Sequence, residues 1–116
     1  MNLQINNNCY KILFVKPKDK RLEIEENDYR SGMTDFVKKE IYINKKLKWN
    51  SLKYTIMHEF THAYLDSYGF LQVDFTDEIV ADIFGNYFIN IFNDYNKILM
   101  YYYNKRWLNA NSWIFR

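Results

Sequence analysis

Glu40-Ile-Tyr-Ile-Asn44 and Ser51-Leu-Lys-Tyr-Thr-Ile-Met-His-Glu-Phe-Thr-His-Ala63 decide how this chain is read, because the hydrophobic period changes between them. The first alternates as a strand does. In the second, Leu52, Ile56, Phe60 and Ala63 recur every three or four positions, the period of one helical face. Ser51 is a helix-capping residue type and Gly69 a natural C-terminal stop, so a helix is expected over about 51–67.

Upstream, Gly32-Met-Thr-Asp-Phe-Val37 and Glu40 to Asn44 form an expected β-hairpin. Tyr10-Lys-Ile-Leu-Phe-Val-Lys16 reads as a strand ended by the Pro17 turn, and Leu22 and Ile24 alternate with charges as a further short strand would. Downstream, Thr76 caps an expected second helix to about Asn93, with Asp77 and Glu78 suiting its positive end and Gly85 marking a close approach to a neighbour. A third is expected from Tyr95 to about Leu108, its aromatics packing on the sheet. The expected fold is α+β, a small antiparallel sheet followed by three helices.

Composition narrows the function. The 116 residues suffice for one domain, and 48% apolar with 26% charged is globular usage. The lone Cys9 cannot close an internal disulfide and no Asn-x-Ser/Thr acceptor occurs, so nothing points to an oxidising compartment. The N-terminus lacks signal-peptide character, and the longest uncharged helical stretch, Ile83 to Asn93, falls well short of the roughly 20 apolar residues a membrane span needs. A cytoplasmic protein is expected. Charge is uneven: residues 1–50 carry 11 Lys/Arg against 7 Asp/Glu, residues 51–94 carry 1 against 7, and residues 95–116 carry 4 against none. The basic ends fall short of a nucleic-acid footprint.

Both histidines lie in the acidic middle, in His58-Glu59-Phe60-Thr61-His62. Histidines four apart share one helical face, so both imidazoles can reach a single Zn2+, while the adjacent Glu59 can take a proton from an attacking water. With two His and six Glu in the chain, this spacing arises by chance roughly once in a thousand sequences. Zinc needs a third protein ligand, and with no further His and a remote Cys9 it must be a carboxylate. Asp77, Glu78 and Asp82 are on offer. Glu78 and Asp82 share a face, which favours Glu78 as ligand and Asp82 as acceptor for the spare N–H of a ligating imidazole.

His58-Glu-Phe-Thr-His62 followed by Glu78-Ile-Val-Ala-Asp-Ile-Phe-Gly85 resembles the gluzincin pattern of ImmA/IrrE-like zinc metallopeptidases, with Ala81, Asp82, Phe84 and Gly85 at that family's positions after the Glu. The hairpin from Gly32 to Asn44 is similar to the strands ahead of the family's metal helix. The resemblance covers about residues 32–92 and implies a zincin-like minimal core within the single metallopeptidase-like domain expected over residues 1–116. It also implies a zinc endopeptidase of bacteria, mobile elements or phages, acting in the bacterial or phage-infected cytoplasm on a protein substrate such as a helix-turn-helix repressor. His58, His62 and Glu78 would be ligands and Glu59 the general base. A substrate backbone could add to an exposed sheet edge, for which Glu40 to Asn44 is the candidate, and Tyr54, Tyr64 and Tyr68 are near enough to stabilise an oxyanion. A second reading keeps the zinc but not the catalysis: a regulatory protein that acts by binding a partner.

Overall fold

The computed structural model describes the backbone at residues 1–70 and 77–111 and the side chains at residues 1–70, 83 and 87–105. Strands β1 (Asn2–Ile5) and β2 (Asn8–Val15) form a hairpin whose turn residue Asn6 takes φ 52°. After the Pro17 turn the chain leaves the sheet through a 3-10 turn (Lys20–Leu22) and a two-stranded ribbon, β3 (Glu23–Glu25) with β4 (Asp28–Tyr29). It returns as β5 (Gly32–Asp35) and β6 (Glu40–Asn44), antiparallel to each other. The Asp35 carboxylate caps their turn by accepting from the Val37 and Lys38 amides.

The four-stranded sheet has the order β1-β2-β6-β5, and β6 runs parallel to β2. It is therefore mixed, not antiparallel. The chain's excursion through β3 and β4 turns the second hairpin around, so that β6 lies beside β2 with Ile12 opposite Ile41 and Phe14 opposite Ile43. Alternation then serves both faces. Tyr10, Ile12, Ile41 and Ile43 point into the main core against the helices, while Leu13, Val15 and Tyr42 meet Leu22, Tyr29 and Met33 on the other side.

Helix α1 (Trp49–Ser67) begins two residues earlier than expected, with Lys48 in the cap position and Ser51 inside the first turn. Its end matches Gly69, which takes φ 79°; Phe70 N–H donates to Leu65 C=O and Gly69 N–H to Asp66 C=O, the paired bonds of a Schellman stop. Helix α2 (Asp77–Asn111) is continuous, so two helices stand where three were expected. The polar Asn93-Asp94 break does not end it because Asp94 has partners on both sides: the Tyr64 hydroxyl donates to it at 3.0 Å and Lys97 approaches at 3.5 Å. Tyr102 of α2 packs on Phe14, ring centroids 4.8 Å apart, and its hydroxyl donates to Lys45 C=O. Among the described residues no helix is long and apolar enough to cross a membrane.

The far end of α1 is moored to the sheet by Asp66, whose carboxylate accepts from the buried Tyr10 hydroxyl and from Lys39 Nζ at 2.7 Å. Burial alone would raise this carboxyl, but the two donors outweigh it and hold Asp66 below the usual carboxylate range. A depressed native pKa contributes stability above the unfolded value of about 3.9 and loses it as pH falls through the native one. Asp66→Ala should therefore lower the unfolding free energy by about 2 kcal/mol near neutral pH, with the gap to the wild type closing below about pH 4 in chemical denaturation.

Candidate metal centre and cleft

Leu52, Thr55, Ile56, Glu59, Phe60, Ala63 and Tyr64 form the buried stripe of α1. Glu59 is the one charge on it, 7% exposed. A buried carboxylate is tolerable only when hydrogen-bonded, and Thr34 of β5 supplies the partner: its hydroxyl lies 3.0 Å from Glu59 Oε1 and 3.1 Å from the Glu59 carbonyl oxygen. Oε2 is turned toward His58 Nε2, 3.9 Å away.

Strand β5 comes this close to α1 because residue 32 is glycine. A Cβ there would lie 2.6 Å from Thr55 Cγ2 and 2.8 Å from Glu59 Cγ. Neither atom is the loose end of a flexible chain, so the contact fixes the distance between strand and helix. In the sequence Gly32 stands out only as a hairpin start and Thr34 not at all, although a buried Glu on an apolar stripe is itself the signal that a donor must face it.

His58 and His62 emerge one turn apart on the more open flank of the stripe, with Nε2 atoms 3.2 Å apart and rings in edge-to-face contact. Two imidazoles bound to one tetrahedral Zn2+ at 2.0–2.1 Å would have nitrogens about 3.3–3.4 Å apart. The pair therefore fits a shared ion, and that role requires each Nε2 to be deprotonated with the proton on Nδ1. Among the described residues no group of three or more His, Cys, Asp or Glu side chains is placed to hold a metal. The side chains of Asp77, Glu78, Ala81, Asp82, Phe84 and Gly85 lie outside the described residues. What is described of the adjoining turns is Ile83, which lines a small cavity with Thr61 and Leu65 of α1 and so runs α2 past the helix that carries the histidines.

The histidines and Glu59 sit in the wall of an open cleft of about 910 Å³, bounded by β5 on one side and the first turns of α1 on the other. Tyr54 stacks on His58 at 5.6 Å, and Arg30 and Asn50 contribute polar atoms to the lining. Of the three tyrosines named for an oxyanion, Tyr54 alone lines this cleft; Tyr64 is committed to Asp94, and Tyr68 stacks against Tyr64 and Tyr87. The Glu40–Asn44 edge expected to receive a substrate is not an edge, since β6 is paired on both sides; β5 is the outer strand on this side of the sheet.

Gly32→Ala forces either Thr55 or Glu59 to move. We expect it to lower stability by about 1–3 kcal/mol in urea titration, in contrast to Gly69→Asn, whose left-handed position has open space and costs little. Compared with known proteins, the chain matches no family model, no curated protein and no solved structure.

Proposed function

We propose that this chain is a zinc-dependent endopeptidase of the HExxH type, with His58, His62 and Glu78 as ligands, Glu59 as general base and Asp82 orienting a ligating imidazole. The observation that carries the reading is the convergence of the His58 and His62 Nε2 atoms at 3.2 Å beside a buried carboxylate in an open cleft. When bound there, Zn2+ would polarise a carbonyl and lower the pKa of water to about 7.

The chain's own residues supply the rest. Thr34 holds Glu59 Oε1, which leaves Oε2, on the histidine side, as the oxygen that takes a proton from the attacking water and returns it to the departing amine. An extended peptide laid along the outer edge of β5 would bring its carbonyls past Glu59, with backbone pairing giving sequence-tolerant affinity. The Tyr54 hydroxyl is the cleft group suited to an oxyanion. The substrate class is a protein, and a helix-turn-helix repressor is the substrate the resemblance implies.

Glu59→Gln separates catalysis from metal binding. Purified wild type should carry close to one zinc per chain by elemental analysis and generate new termini in a proteome-derived peptide library. Glu59→Gln should hold the same zinc while cleavage falls by about 10²–10⁴. Zinc near zero in the wild type, or undiminished cleavage by Glu59→Gln, overturns the proposal. Stoichiometric zinc with no cleavage favours the regulatory binder instead.

A further inference from the structure

The cleft that holds the histidines runs along the outer edge of β5, and alternation gives that edge two sides. Gly32 and Thr34 face α1: a Cβ on Gly32 would meet Thr55 and Glu59, and the Thr34 hydroxyl reaches Glu59. Met33, between them, packs on the opposite side with Leu22 and Tyr42. The Arg30 guanidinium is on the Met33 side, where Nη1 donates to Met33 Sδ at 3.5 Å, and Arg30 lines the same cleft. Its backbone is fixed, since the Arg30 amide donates to Leu22 C=O and the next carbonyl, that of Ser31, accepts from the Asn44 amide.

A thioether is a weak, uncharged acceptor. Among the described residues no carboxylate lies within ion-pair distance of Arg30, whereas Arg21, which lies over the Tyr42 ring, is held by Asp19 through two side-chain bonds of 2.9 Å. The carboxylates on the Met33 face of the β5–β6 hairpin are engaged elsewhere: Asp35 accepts from the Val37 and Lys38 amides and Glu40 from the Tyr42 hydroxyl. Arg30 thus brings a planar fork of donors to the cleft with no anion to fill it. The first turn of α1, which lines the cleft with Asn50 and Ser51 and has no side-chain cap, adds to the positive potential. In a peptide strand added to β5, side chains directly opposite one another share a face. The residue opposite Thr34 turns toward Glu59 and the histidines, and the residue opposite Met33 turns toward Arg30. We infer that Arg30 is a specificity-determining residue that selects Asp or Glu at the peptide position opposite Met33, within about two residues of the scissile bond. The inference rests on the reading of this cleft as a peptidase site.

Peptide binding tests this without requiring turnover. Three fluorescein-labelled nonapeptides of alternating Thr and Val, with Glu, Gln or Lys at the centre, are titrated with the full chain at low salt and followed by fluorescence anisotropy. The wild type should bind the Glu peptide about tenfold more tightly than the Gln peptide, and the ratio should fall as salt is added. Arg30→Gln should bind the two alike, and Arg30→Glu should prefer the Lys peptide. Both variants change an exposed side chain and leave the Leu22 bond to the backbone in place, so their circular dichroism should match the wild type. A wild type that binds the Glu and Gln peptides equally, or a preference for Glu that survives in Arg30→Gln, overturns the inference. Failure of the two proposals is distinguishable. A Glu preference that Arg30→Gln abolishes, in a chain that cleaves nothing, sinks the peptidase and keeps the acidic-peptide site; cleavage sites with no Asp or Glu enrichment within two residues of the cut sink the Arg30 assignment and keep the peptidase.

Discussion

The contact between β5 and α1 is the constraint on which the rest depends. Gly32 lets the strand approach until Thr34 can reach a carboxylate on the buried stripe of the helix. That one donor makes the burial of Glu59 tolerable and selects which of its oxygens is turned toward the histidines. Because Thr34 also reaches the Glu59 carbonyl, the helix is held in rotation as well as in distance. The remaining supports act on the same helix from its other end, where Tyr10, Lys39 and the Gly69 stop secure the last turn. A helix fixed at its middle and at its last turn can present two side chains one turn apart to a common point.

Elements governed by local chemistry were legible in the sequence. The β5–β6 hairpin, the strand ending near Pro17, the period of α1 and its glycine stop each follow from residues within a few positions of one another. What escaped was set at long range. The parallel pairing of β2 with β6 depends on how the intervening segment leaves and re-enters the sheet, and no alternation pattern reports that. The expected break at Asn93-Asp94 vanished because Tyr64, on another helix, satisfies the aspartate. Lys48 stands at the start of α1 without a side-chain cap, so the residue that looks like a cap, Ser51, falls inside the helix.

The site divides along the same line. Spacing alone announced that His58 and His62 share a face, and from there the two side-chain conformations bring their Nε2 atoms to 3.2 Å. The partner of Glu59 could not be named from spacing, because Thr34 reaches it from a separate strand. The outer strand was misassigned for the same reason: β6 is the more strand-like sequence, but hydrophobic Ile-Tyr-Ile is a mark of the sheet's interior, and the polar, glycine-started β5 is the outer strand.

X-ray absorption at the zinc edge of the metal-loaded protein addresses the central claim most directly, because it reads the ligand set without needing a substrate. The account predicts two imidazole nitrogens at 2.0–2.1 Å with the remaining positions filled by oxygen, and loss of one imidazole shell in His62→Ala. A spectrum with no imidazole scattering, or one unchanged by His62→Ala, would contradict it.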